Sequence, residues 1–170
     1  MRKLIVYLVL VCMICIPAYS FADGIAGIGW APNAKGKEIE GYQFDDTNYL
    51  TFIFGSVDPE PMGIGWYIGG GITPHKVDET GTSYFHYAYY IFNAGLTFTL
   101  YKKIYLYGGI GYTYEDGEFK LNGITYTTTE HNNSFNINGG VLIEILGGYG
   151  LMAGYDTASS AASIGFFKRF

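Results

Sequence analysis

Met62-Gly63-Ile64-Gly65-Trp66-Tyr67-Ile68-Gly69-Gly70-Gly71-Ile72 is the stretch whose reading decides the fold. Met62, Ile64, Trp66, Ile68 and Ile72 fall on one side of a period-two alternation, and Gly63, Gly65, Tyr67, Gly69 and Gly71 on the other. Successive Cβ atoms of a strand point to opposite faces, so this segment has one large apolar face and one face of small residues. The pattern recurs downstream. Tyr90, Phe92, Ala94, Leu96, Phe98 and Leu100 oppose Tyr89, Asn93, Gly95, Thr97 and Thr99. Phe135, Ile137, Val141 and Ile143 oppose Asn136, Asn138, Gly140 and Glu144.

Working outward from these three, eight strand-like segments follow one another: Gly24–Ala31, Thr47–Val57, Met62–Ile72, Tyr84–Thr99, Ile104–Tyr114, Ser134–Glu144, Gly148–Asp156 and Ala161–Phe170. Three short connections, Asp58-Pro59-Glu60-Pro61, Tyr101-Lys102-Lys103 and Leu146-Gly147, carry turn chemistry, with proline presetting φ and glycine permitting positive φ. They alternate with the long connections Pro32–Asp46, Pro74–Ser83 and Glu115–Asn133; a fourth, Thr157–Ser160, is short. Alternating long and short connections between strands of about ten residues predict an all-β fold, an eight-stranded antiparallel up-and-down transmembrane β-barrel. Nearly all charges lie in the connections or at strand ends; Glu144 and Asp156 fall inside strands, each near an end. Lys or Arg on a lipid-facing wall at mid-membrane would cost about 2–4 kcal/mol, which accounts for that placement.

Residues 1–22 read as an export signal. Arg2 and Lys3 precede an apolar run from Leu4 to Ile16, Pro17 breaks it, and Ser20-Phe21-Ala22 supplies a cleavage site after Ala22. The barrel domain is then residues 23–170. Cys12 and Cys15 leave with the signal, so no disulfide is expected in the domain. Losing Arg2 and Lys3 takes the formal charge from −5 to −7, which argues against nucleic acid as a partner. There is no run of 18 apolar residues of the kind a membrane helix needs, and a barrel needs none. An even strand count after an export signal puts both ends in the periplasm and the long loops outside the cell.

The closing segment, Ser163-Ile164-Gly165-Phe166-Phe167-Lys168-Arg169-Phe170, resembles the C-terminal assembly signal of bacterial outer-membrane barrels: Ser163, Gly165 and Phe170 match it, whereas Lys168 stands where a hydrophobic residue is usual. With the strand meter, the chain resembles small eight-stranded outer-membrane proteins of the OmpA/OmpX type. The resemblance implies outer-membrane localisation, contact with outer-membrane lipid and lipopolysaccharide, recognition of the last strand by the barrel-assembly machinery, and a monomer. It implies no activity, because a fold hosts many functions.

No catalytic, cofactor-binding or metal-binding residue is assigned. A Ser nucleophile needs a base within hydrogen-bond reach and an orienting partner for that base. The best combination is Ser134 with His131 and either Glu130 or Glu144. His131 and Ser134 are three apart and diverge in a strand, and Glu144 lies about 33 Å along the strand from Ser134. His86, beside Phe85, Tyr87, Tyr89 and Tyr90, reads as part of an interfacial aromatic girdle, and His75 lies in a loop. Tyr105, Tyr107, Tyr112 and Tyr114 divide between girdle and lumen.

The acidic loop residues (Glu38, Glu40, Asp45 and Asp46; Asp78 and Glu79; Glu115, Asp116 and Glu118) lack metal-loop spacing and read as solvated charge. Gly63, Gly65, Gly69, Gly71, Gly109, Gly111, Gly148, Gly150 and Gly154 read as strand positions that let a narrow barrel close, not as a phosphate loop. Residues Gly123–Thr129, where Ile124, Tyr126 and Thr128 alternate, read as an extension of the fifth and sixth strands beyond the membrane, offering a pairing edge. The function expected is non-enzymatic: envelope integrity, or adhesion and interaction through the loops. The alternatives are a narrow channel for small or hydrophobic solutes and a lipid A-modifying enzyme.

Overall fold

A computed structural model describes residues 23–34, 38–39, 42–43, 47–73, 76–80, 83–121, 124–127 and 134–170. The export signal expected over residues 1–22 lies outside the described residues. Among the described residues twelve strands occur in chain order: β1 Asp23–Ala34, β2 Glu38–Ile39, β3 Tyr42–Gln43, β4 Thr47–Val57, β5 Ile64–Ile72, β6 Lys76–Thr80, β7 Ser83–Tyr101, β8 Ile104–Leu121, β9 Ile124–Thr127, β10 Ser134–Leu146, β11 Tyr149–Asp156 and β12 Ala161–Arg169. Eight of them, β1, β4, β5, β7, β8, β10, β11 and β12, form a closed antiparallel ring in sequence order, because β1 pairs with both β4 and β12 and β7 pairs with both β5 and β8. The seam runs from Ile25 opposite Arg169 to Trp30 opposite Ile164. Two backbone bonds between Gly24 and Phe170, 3.0 and 2.9 Å, complete it.

The eight ring strands are the eight segments expected, with shifted ends. Met62 and Gly63 belong to the turn rather than to β5: Met62 has φ 67°, and Gly63 N–H donates to Glu60 O at 2.9 Å. The Asp58 carboxylate accepts from Glu60 N–H at 3.0 Å, the aspartate turn that the Pro-rich connection called for. Gly148 also lies in a turn rather than a strand. Gly147 and Gly148 have φ +59° and +83°, a left-handed pair that residues with a Cβ rarely adopt.

Outside the ring, β6 continues β5 along the edge of β7, and β9 continues β10 along the edge of β8. β7 and β8 stay paired up to Tyr84 opposite Lys120. The long-loop end therefore carries a four-stranded ribbon, β6-β7-β8-β9, projecting beyond the ring. The alternation of Ile124 and Tyr126 lies on β9, as a strand extension; Thr128 lies outside the described residues.

Parity along each strand sorts the side chains. Ile28, Leu50, Ile64, Phe92, Leu96, Ile110, Ile137 and Ile164 point outward and are exposed. A continuous exposed apolar belt is not the surface of a soluble monomer; it is the surface of a barrel in lipid. Tyr101 and Tyr149 border the belt at the turn end, and Tyr90, Tyr112, Tyr114 and Tyr155 at the loop end, as two aromatic girdles.

Inward positions are small or buried. Eight strands leave an interior just wide enough to be filled by side chains. Tyr67 and Tyr107 cross it edge to face, with ring centroids 5.3 Å apart, and a Cβ added at Gly140 would come within 2.6 Å of the Tyr107 hydroxyl. The glycine face of the sequence is the space these two rings occupy. Gly140→Val is expected to lower the unfolding free energy of the refolded barrel by about 1–3 kcal/mol through overpacking, read as a lower urea midpoint for loss of the unboiled gel band.

Candidate functional site

A small barrel has three places for function: its lumen, its two rims, and whatever projects from them. The lumen is packed in three layers. At the turn end, Arg169 on β12 points inward. Its Nε donates to Glu144 Oε2 at 2.8 Å, and its Nη1 pairs with Asp23. Glu144 also accepts from Tyr105 Oη at 3.5 Å and from Gly148 N–H at 3.3 Å. One guanidinium thus joins the first strand, the last strand and β10. Ile25, Val57, Leu142 and Phe167 are buried in one apolar cluster toward this end.

The middle layer is Tyr67, Tyr107, Asn138 and Met152, with Tyr67 Oη donating to Asn138 Oδ1 at 2.8 Å. The void left there is about 20 Å³, room for about one water. Thr51 Oγ1 borders it and is a buried side-chain oxygen with no hydrogen-bond partner among the described residues.

At the loop end Asp156 is buried, and its carboxylate accepts three bonds: from Tyr49 Oη at 2.8 Å, Asn93 Nδ2 at 3.0 Å and Asn136 Nδ2 at 2.6 Å. Asn136 also donates to Asn93 Oδ1 at 2.8 Å, and its own Oδ1 accepts from Thr157 Oγ1 and Ala158 N–H at 3.1 and 2.9 Å. This network ties β4, β7, β10, β11 and the 157–160 turn together. Glu144 and Asp156, the two strand carboxylates singled out in the sequence, are accordingly inward and hydrogen-bonded, at opposite ends.

Of the candidate catalytic set only Ser134 and Glu144 lie among the described residues, and the structure does not bring those two together. Ser134 Oγ lies 2.6 Å from Thr113 Oγ1, a hydroxyl pair with no base in it. Glu144 is at the other end of β10, engaged by Arg169. Glu130, His131 and His75 lie outside the described residues, and His86 stands on β7 opposite Val77 and Glu118. Among the described residues no three His, Cys, Asp or Glu side chains are grouped to hold a metal.

Arg169 is the functional-looking residue that the sequence reading passed over, because the closing motif drew attention to its aromatic neighbours. Its parity with Ser163, Gly165 and Phe167 was the available signal that it faces inward.

What remains is the projecting ribbon. Among the described residues, β6 pairs only with β7 and β9 only with β8, so each presents an open edge. All three long connections carry more acidic than basic residues.

A closed eight-stranded ring, an exposed apolar belt between aromatic girdles and a filled lumen define a small membrane-spanning β-barrel. Solved structures with the same architecture include the attachment invasion locus protein Ail of Yersinia pestis. Ail bound to the heparin analogue sucrose octasulfate superposes with TM-score 0.69 at 18% identity, covering 88% of this chain and 99% of that one. Ail alone gives 0.70 at 17%, with the same coverage. Ail in a phospholipid bilayer nanodisc gives 0.58 at 16%, again with 88% and 99% covered. No protein-family model matches the chain, and no curated protein sequence does.

Asp156→Ala leaves the Tyr49, Asn93 and Asn136 donors without their shared acceptor. It is expected to destabilise the barrel by about 1–3 kcal/mol in urea titration of refolded protein, more than Thr113→Ala, which removes one hydroxyl pair at the same rim. Arg169→Lys is expected to behave like Arg169→Ala, losing about 1–3 kcal/mol, since a point charge does not reproduce the fork that reaches both Glu144 and Asp23.

Proposed function

We propose that this chain is a non-enzymatic outer-membrane protein that works in surface attachment through its projecting ribbon. In this reading residues 1–22 direct export and are removed after Ala22, the chain ends and short turns are periplasmic, and the ribbon stands outside the cell. The assembly machinery reads the last strand, and the barrel acts as a monomer. The observation that carries it is the pair of open edges on β6 and β9, which offer unpaired backbone N–H and C=O groups to an extended segment of a partner. Edges of this kind are usually suppressed by charge, bulges or cover; β6 carries Lys76, Asp78 and Glu79, whereas β9, Ile124–Thr127, carries no charge, so the β9 edge favours an interaction role more strongly.

Ail has been crystallised with a sulfated sugar. The acidic excess in the loops of this chain disfavours a polyanion of that sort and favours a protein partner that supplies a strand. The filled lumen disfavours conduction, and the separation of Ser134 from Glu144 disfavours lipid A hydrolysis.

Expression in a non-adherent Gram-negative host is expected to raise attachment to cultured epithelial cells severalfold. Val77→Pro on β6 and Thr125→Pro on β9, which remove edge donors, are expected to return attachment to background while the boiling-dependent gel shift persists. Attachment unaffected by both prolines would overturn the edge reading. Discrete conductance steps in planar bilayers would favour a channel instead.

A further inference from the structure

The outward wall over β10, β11, β12 and β1 is not evenly convex. It holds a concavity of about 600 Å³ whose lining is apolar. Its floor is low because Ala153 is the outward side chain there and the backbone of Gly29 and Gly165 lies beneath. Trp30, Phe166 and Ile143 stand around it. Strand register gives the concavity rows: Ile28, Phe166 and Leu151 form one, and Trp30, Ile164 and Ala153 the next toward the loop end.

The row on the other side, toward the turn end, is Ala26, Lys168 and Tyr149. Lys168 is exposed on the outward face, with Nζ 4.8 Å from the centre of the Tyr149 ring. Among the described residues no carboxylate pairs with it. Of the acids at this end of the barrel, Glu144 and Asp23 are held by Arg169 inside, and Asp58 and Glu60 lie in the β4–β5 turn, where Asp58 accepts from Glu60 N–H. An unpaired cation therefore stands at the mouth of an apolar groove, at the girdle, where the closing motif of related barrels has a hydrophobic residue.

We propose that this groove and Lys168 form a binding site for one anionic glycerophospholipid of the adjoining leaflet. Its phosphate sits on Lys168 Nζ and an acyl chain lies along Phe166 and Ile28 to Trp30. The lengths agree. Four residues separate the Lys168 row from the Trp30 row, about 13 Å along the strand. One leaflet supplies about half of a hydrocarbon core of about 30 Å. The charges agree as well, since a lysine at the membrane surface attracts anionic headgroups. The site rests on the outward wall facing lipid; it does not depend on which leaflet adjoins the turn end.

Trp30 reports on the groove directly. In a Trp66→Phe background it is the remaining tryptophan. The refolded chain is placed in vesicles of equal phosphatidylglycerol and phosphatidylcholine, with bromine on the acyl chains of one or the other. Trp30 fluorescence is expected to be quenched as though phosphatidylglycerol were enriched about fivefold beside it. The enrichment should vanish in Lys168→Gln and survive in Lys168→Arg. Ala153→Phe, which fills the floor, should reduce quenching by both lipids.

Equal quenching by the two lipids with Lys168 intact, or a preference that persists in Lys168→Gln, would overturn the site. Quenching that falls as protein is concentrated in the membrane would put a second copy in the groove and overturn it too. No quenching by either brominated lipid would overturn the membrane-facing reading itself, a result distinct from the other two.

Discussion

In hydrocarbon no water is available to a backbone N–H or C=O, so a sheet that enters a membrane must leave no edge. The seam between β1 and β12 answers that constraint, and the remaining features follow from it. Joining Ile25–Trp30 to Ile164–Arg169 turns a meander into a ring. A ring of eight strands has a fixed, narrow bore. The bore can accept a few large side chains only if most of the facing positions are glycine. Tyr67 and Tyr107 cross the centre, and glycines such as Gly109 and Gly140 vacate the space they need.

The same geometry governs charge. An ionised group inside so tight a ring must be paired or fully hydrogen-bonded. Glu144 has Arg169, which also reaches Asp23, so the ion cluster at the turn end bridges the two strands that close the ring. Among the described residues no cation pairs with Asp156, which is held instead by Tyr49, Asn93 and Asn136. Both clusters sit at rims, and the middle of the lumen is occupied by tyrosine, asparagine and methionine. A barrel plugged in this way has its chemistry displaced to its surfaces: the outward wall, where Lys168 meets an apolar groove, and the ribbon above the loop-end girdle.

Much of this was legible in residues. The alternation over Ile64–Ile72 and the run Thr47–Val57 emerge as β5 and β4 because a period-two pattern has one geometric realisation. The ends were harder. Met62 and Gly63 continue the alternation in sequence but are consumed by the turn that Pro59 and Pro61 start. In the other direction β8 outruns the segment expected to end at Tyr114 and continues to Leu121, paired with the outer part of β7. Charged residues such as Glu115, Asp116 and Glu118 mark where hydrocarbon stops, but a ladder of backbone hydrogen bonds can continue in water. Asn93 and Asn136 were visible as polar positions on their strands, yet their meeting on Asp156 depends on pairing across 43, 63 and 20 residues of chain, which no local pattern encodes.

The sequence by itself determined the number of strands in the ring, which face of each is apolar, and where the ring's short turns fall, because these are local consequences of side-chain alternation and of proline and glycine. Only the tertiary structure decided that Arg169 reaches both Glu144 and Asp23, that Asn93 and Asn136 meet on Asp156, and that among the described residues β6 and β9 keep free edges. Each of those depends on register between strands distant in sequence, and register is set when the ring closes.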